Sequence, residues 1–301
     1  MKRPRDLGFG DLVWSHFSRP RFGDFDERVA AAGAAGLDGI GLYIFEYERL
    51  RNEEGRSAAD IRGVLDRHGV CLADVEVSRG WSATGGDDVE YSKRIEALAF
   101  EMADEFGVRY LQAIGSYTGG VDHAAEAFAG LCDRAAEHGL LVGLEWLPYT
   151  NIADAADAQE LVRLTDRPNA GYCVDIWHHT RGANDMAMIT ALEPDRVFSI
   201  QMNDGALVPA IDDYKTDCLA SRVPPGDGEF DCVGFIRALY DMGVGAPISL
   251  EVCSTELWQA PAAFAAQVAA DGMRRVLETA GVSAGERAGE RDGERDGVVS
   301  P

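Results

Sequence analysis

Apolar and polar positions fall in repeating blocks along the chain. An amphipathic segment ends in Gly followed by an aliphatic residue, and a short apolar run comes next: Gly36-Leu37, Gly69-Val70, Gly107-Val108, Gly139-Leu140 and Gly243-Val244. Glycine after a helix adopts the left-handed conformation that turns the chain into the next element. The spacing, about 30 residues, is that of one βα unit in a barrel. Tyr91, Ile95, Leu98, Met102 and Phe106 recur every three to four residues, with Lys93, Arg94, Glu101 and Asp104 between them. That is one apolar helix face. Ser57 with Asp60 predicts a capping box before Ile61, Val64 and Leu65. Asp122 predicts the cap of the helix carrying Phe128 and Leu131.

The apolar runs predict eight strands: Leu7–Trp14, Gly39–Ile44, Val70–Val77, Tyr110–Ile114, Leu140–Glu145, Gly171–Asp175, Val197–Met202 and Ile248–Val252. Alternating strands and helices imply an α/β fold with a parallel sheet, and eight units imply a closed (β/α)8 TIM barrel. No GxGxxG follows the first strand, which argues against an open dinucleotide-binding sheet. The barrel is expected over residues 7–280, after a flexible N-terminus at 1–6. A low-complexity, disordered tail at 281–301 follows, containing GERAGERDGERDG at 285–297. The connection Gly205–Gly228 is long, and long loops in compact domains are functional or disordered.

Charge and cysteine usage narrow the function classes. The 301 residues carry a net charge of −23, which repels nucleic acid. No apolar run reaches the roughly 18 residues that span a bilayer, and the basic N-terminus is not followed by a signal-peptide core. Cysteines at 71, 132, 173, 218, 232 and 253 form no CxxC pair. They read as reduced, buried residues of a cytoplasmic protein. The pattern implies a small-molecule substrate, no nucleic-acid or membrane partner, and leaves a homo-oligomer open.

Barrels of this kind place their chemistry at the C-terminal ends of the strands. The fifth strand ends GLEWLP, giving Glu145; the sixth runs GYCVDIWHH, giving Asp175 with His178 three residues on. The seventh ends FSIQMNDG, giving Gln201, and the eighth ISLEVC, giving Glu251. Three carboxylates and one amide from four consecutive strands would repel unless a cation or shared protons neutralised them. Oxygen ligands suit a hard divalent ion, Mn²⁺ or Mg²⁺ with Co²⁺ also admissible, better than Zn²⁺. One strand-end carboxylate alone is more often a cap or an ion-pair partner; the set of four is what points to a metal.

These strand ends resemble the xylose isomerase-like TIM-barrel superfamily, specifically its sugar phosphate isomerase/epimerase group, over roughly residues 7 to 280. The resemblance implies Glu145, Asp175 and Glu251 as metal ligands, and His178 as the second histidine of the pattern. Gln201 departs from it, standing where most members have His. The 3-dehydroshikimate dehydratases of the superfamily resemble the chain there, and they too have an Arg shortly before a Pro-Gly-rich segment, as Arg222 precedes PPGDG here. By the resemblance, Glu145 and Glu251 are both ligands and the catalytic acid/base pair. The ion polarises a substrate carbonyl and stabilises the enediolate formed on α-proton loss.

The implied activity is metal-dependent isomerisation or epimerisation of a small sugar or keto-polyol. The alternative is a lyase that dehydrates a keto-polyol of the 3-dehydroshikimate or inosose type. His178 is the candidate donor to a substrate oxygen, against a core histidine satisfied by backbone, and His179 reads as structural or exposed. Arg222 is a candidate substrate contact, with an exposed loop arginine equally open. Trp14, Trp146 and Trp177 are candidate pocket walls, with core packing the competing reading. Asp204 is explained by an Asx turn. The abasic-site endonuclease branch needs a histidine-rich three-zinc cluster, and this chain has six histidines in all. A sugar-binding barrel without turnover is the remaining reading; metal content separates it from an enzyme.

Overall fold

The computed structural model describes residues 2–282. Eight parallel strands close in sequence order into a barrel: β1 (Leu12–Trp14), β2 (Gly39–Tyr43), β3 (Cys71–Ser78), β4 (Tyr110–Ile114), β5 (Leu141–Glu145), β6 (Ala170–Asp175), β7 (Val197–Met202) and β8 (Ile248–Leu250). β1 pairs with β2 on one side and β8 on the other, so no edge is left open. The glycine rule holds at every expected position: Gly36, Gly69, Gly107, Gly139 and Gly243 all have positive φ, between 67° and 83°. At Gly69 the helix Ala58–His68 ends left-handed and Val70 N donates back to Leu65 O at 3.1 Å, delivering the chain into β3.

The helices lie outside the barrel with their apolar faces turned in. Ile95, Ala99 and Met102 of the helix Asp87–Phe106 are buried, and the two larger side chains contribute roughly 1.5–3 kcal/mol each by leaving water. The last helix, Ala262–Ala280, buries an alanine face and packs against Phe25–Ala34. Ser57 and Asp60 form the expected capping box.

Five expectations shift. β1 begins at Leu12 rather than Leu7, because Gly8 and Asp11 close a turn (Asp11 N to Gly8 O, 3.0 Å) with Gly10 at φ 90°. β8 ends at Leu250, two residues early. The helix expected to be capped by Asp122 begins at Val121 after Gly120, and Asp122 lies in its first turn. The connection after β7 contains a helix, Tyr214–Ala220, capped by Asp213. The N-terminal segment expected to be flexible carries a single 3₁₀ turn, Pro4–Asp6. The proposed tail lies, from residue 283 on, outside the described residues. All six cysteines are free and buried, and no helix among the described residues is long and apolar enough to cross a membrane.

The interior of the barrel is unusually polar. TIM-barrel cores are filled mostly by branched apolar side chains. Here Asp74, Glu76, Gln112, Ser199, Gln201 and Ser249 are all buried on the strands. Such groups are costly unless paired; among them Gln112 reaches Glu145 and Gln201 reaches Glu251 at the C-terminal strand ends.

Candidate active site

Glu145 is the last residue of β5 and Asp175 the last of β6; Gln201 is next to last in β7, and Glu251 follows β8 directly. Asp175 and Gln201 are register partners, and Glu251 N donates to Met202 O at 3.1 Å. The strand pairing therefore brings all four side chains to one end of the barrel. Ligand atoms of Glu145, Asp175 and His178 lie within 4.8 Å of one another. Gln201 Nε2 donates to Glu251 Oε1 at 3.2 Å.

Each carboxylate is held in place. Asp175 Oδ1 accepts from Trp177 N at 2.8 Å and from Asn203 Nδ2 at 2.9 Å. Glu145 Oε2 accepts from Gln112 Nε2 at 2.6 Å. Arg222, 1% exposed, donates through Nη1 to Glu251 Oε2 at 2.8 Å and to Asp175 Oδ2 at 3.1 Å. Its guanidinium lies 5.2 Å over the Trp177 ring. Burial alone would weaken the charge of Arg222, but Asp175 and then other acidic neighbours hold its pKa well above the usual value. Burial pushes the Glu251 carboxyl well above the usual range, against the pull of Arg222.

His178 is placed by Tyr214, whose hydroxyl is 2.8 Å from Nδ1. Burial raises the Tyr214 pKa strongly, so the phenol keeps its proton. With Tyr214 donating to Nδ1, Nε2 carries the hydrogen and faces Glu145 Oε1 at 3.3 Å and Asp175 Oδ2 at 3.5 Å. That tautomer is a donor aimed into the site. The opposite one, with Nδ1–H donating to the phenol oxygen, would free Nε2 to ligate a cation.

The donor set is one that could hold a metal ion. Three carboxylates face one compensating arginine. The carbonyl oxygens of Gln201, Gln112 and Asn203 are buried with no hydrogen-bond partner. An unpaired buried carbonyl costs roughly 1–3 kcal/mol, a cost that ligation would remove at Gln201.

Sequence patterning missed several groups here. Glu76 of β3 accepts from Ser15 Oγ at 3.0 Å, and the same hydroxyl lies 3.2 Å from Glu251 Oε1. Burial, with Asp74 adding to it, raises Glu76 to about 8, although Arg28 pulls the other way. Gly41 is required opposite it: a Cβ there would collide with Glu76 Oε1. The alternation Asp74-Val75-Glu76 inside an otherwise apolar strand was the available signal, since residues two apart share a face.

The walls differ from expectation. Trp14, Trp146 and Trp177 are all buried and none lines the cavity above the carboxylates; they pack in the core. Phe17 and Tyr149 line it instead, in a volume of about 260 Å³ that reaches Glu145, His178, Arg222 and Glu251. Arg222 is not an exposed loop residue. His179 is buried, its ring 5.5 Å from that of Phe235. Asp204 pins the PPGDG loop, accepting from Gly226 N at 3.0 Å and Phe230 N at 2.9 Å.

A family model described as xylose isomerase-like TIM barrel matches residues 29–277. A 3-dehydroshikimate dehydratase of Pseudomonas aeruginosa is 28% identical over 260 residues, 85% of this chain and 40% of that protein. An inosose isomerase of Bacillus subtilis is 27% identical over 149 residues, 48% of this chain and 52% of that one. The chain thus spans about half the length, or less, of these curated relatives. A crystal structure of the IOLI protein with a bound zinc atom superimposes with a TM-score of 0.77 at 19% identity, covering 89% of this chain and 98% of that one.

Proposed function

From the chain's membership of the xylose isomerase-like TIM-barrel family, we propose that it is a divalent-metal-dependent enzyme that abstracts the α-proton of a small keto-polyol and returns it as an isomerase or epimerase. The observation that carries this reading is the buried cluster at the C-terminal mouth: ligand atoms of Glu145, Asp175 and His178 lie within 4.8 Å of one another, Arg222 joins Asp175 to Glu251, and the Gln201 carbonyl oxygen is unpaired. The relatives' names support enzymatic turnover of small polyhydroxy compounds: a dehydratase in one case, an isomerase in the other.

Glu145, Asp175, Gln201 and Glu251 would hold the ion, Mn²⁺ or Mg²⁺ by the predominance of oxygen donors. Bound there, it would supply Lewis-acid polarisation of the substrate carbonyl. With a bound ion and Arg222 offsetting its burial, Glu251 would take the α-proton as a carboxylate and become the carboxylic acid; Ser15 and Gln201 hold its Oε1 in place. Glu145 on β5, three strands away around the barrel, is the complementary acid. Delivering a proton to the same carbon from the other face inverts it, and delivering one to the neighbouring carbon moves the carbonyl. His178, fixed by Tyr214, donates to a substrate oxygen and stabilises the developing negative charge.

Gln201 favours a second reading. The dehydratase match extends over 85% of the chain, and the same enediolate that loses a β-hydroxyl as water gives dehydration. Both readings share the first step. Solvent deuterium incorporation into a panel of keto-sugars and keto-cyclitols, with Mn²⁺ added, tests it whichever way the intermediate collapses. Release of water with a conjugated product would select the lyase. Absence of exchange and of any product across the panel would remove the proposal.

A further inference from the structure

The floor of the cavity is acidic, but its mouth is not. Arg21 lies beyond the 3₁₀ turn that follows β1, Arg79 directly follows β3, and Lys215 lies on the helix Tyr214–Ala220. All three line the same cavity as Glu145 and Glu251.

None of the three has a carboxylate partner, which is unexpected in this chain. Acidic residues outnumber basic ones 51 to 28, and most surface cations find one: Arg49 with Glu46 and Glu54, Arg94 with Glu48, Arg134 with Glu96, Arg167 with Asp133. Among the described residues, the basic side chains with neither a hydrogen bond nor an ion pair are Arg21, Arg67, Arg79, Arg109 and Lys215. Three of these five face one cavity. Arg21 and Lys215 rest on aromatic faces instead, Arg21 5.4 Å from the Tyr43 ring centre and Lys215 4.7 Å from that of Tyr149. Arg79 acts on the hydroxyls of both Tyr43 and Tyr149, the two rings on which Arg21 and Lys215 rest, opposing in each case the burial that raises the pKa.

We infer that Arg21, Arg79 and Lys215 form an anion subsite at the cavity mouth, and that the substrate is a small keto-polyol bearing a carboxylate or a phosphate ester. This rests on the reading of the floor as the site of carbonyl chemistry. A molecule of net charge −23 repels anions at long range, so a local cationic rim is what such a substrate needs for capture. With the negative group on the rim, the carbonyl end points to Glu145 and Glu251. A neutral polyol would leave three cations beside the bound ligand with no ion-pair partner.

The test is calorimetric titration of the Mn²⁺-loaded chain with three ketoses: 5-keto-D-gluconate, D-fructose 6-phosphate and neutral D-fructose. At low salt, at least one anionic ketose should bind about tenfold more tightly than D-fructose, the sum of several exposed charge contacts. The preference should shrink as ionic strength rises. Whichever anion is preferred identifies carboxylate or phosphate as the group. The double substitution Arg21→Gln, Arg79→Gln should bring the preference to within about twofold and leave D-fructose binding unchanged. Neither side chain makes a hydrogen bond or ion pair, so the fold should survive, as circular dichroism would show. Equal binding of all three ketoses, binding of none, or a preference that survives the double substitution would overturn the subsite. Deuterium exchange on the same samples separates the two proposals: a charge preference without exchange removes the activity alone, and exchange without a charge preference removes the subsite alone.

Discussion

Gln201 gives its amide hydrogen to Glu251 Oε1 at 3.2 Å and keeps its own carbonyl oxygen buried and unpaired. One side chain thus orients the candidate base and keeps a buried oxygen free of hydrogen bonds. An amide oxygen is a harder donor than imidazole and does not take up a proton near neutral pH. The wild-type site should therefore prefer Mn²⁺ or Mg²⁺ to Zn²⁺ and lose little affinity on mild acidification. Gln201→His should raise affinity for Co²⁺ and Zn²⁺ and weaken binding as pH falls below about 6.5. Metal titrations of both forms at two pH values check this. Unchanged preference and unchanged pH response would move Gln201 from metal contact to substrate contact.

Asp175 and Glu251 should fail differently when neutralised. Asp175 is fully enclosed, with Trp177 N and Asn203 on one oxygen and Arg222 on the other, so Asp175→Asn should lose activity chiefly through loss of metal and recover with excess Mn²⁺. Glu251→Gln should abolish deuterium exchange even when metal is bound, because an amide cannot accept the proton. Equal rescue of both variants by Mn²⁺ would show that Glu251 is not the base.

Arg222 supplies positive charge between Asp175 and Glu251. Removing one partner from a buried ion-pair cluster costs about 3–5 kcal/mol. Arg222→Met should lower the melting temperature of the metal-free protein sharply, and Mn²⁺ should restore more stability to the variant than it adds to wild type. Identical thermal shifts on adding Mn²⁺ would mean that metal and guanidinium do not serve the same carboxylates.

Glu76 makes stability depend on pH with a definite sign. Its pKa rises from an ordinary 4.5 to about 8 in the fold, mainly through burial. A raised carboxyl pKa means that its contribution is complete below the unfolded value and is lost as pH climbs through the folded one. Between pH 5 and pH 8 the wild type should lose stability relative to Glu76→Gln, on the order of 2–4 kcal/mol. Urea unfolding midpoints at the two pH values measure it. A wild-type-to-variant difference that does not change with pH would show that Glu76 is already ionised in the folded protein.

The periodic arrangement was legible in the sequence because it is local. Glycine at each helix end, an apolar stripe per helix and a short apolar run per strand depend on neighbours a few residues away, and all five glycines take the conformation expected of them. Glu145, Asp175, Gln201 and Glu251 were legible for a related reason. Each is the last or next-to-last residue of a predicted strand, and a parallel barrel sends all strand ends to one mouth, so position along the strand already states position in space. Arg222 and Tyr214 obey no such rule. Arg222 and Tyr214 sit in a 24-residue connection, Gly205 to Gly228, whose sequence does not say where it folds. Only the closed structure lays it over the mouth and sets Arg222 between two carboxylates that precede and follow it by 47 and 29 residues. The tryptophans show the converse. Their place beside strand ends suggested a pocket wall, but a large apolar ring gains most where it is fully buried. Which side of the strand end faces the cavity is decided by the packing of the surrounding helices, a property no short stretch of sequence carries.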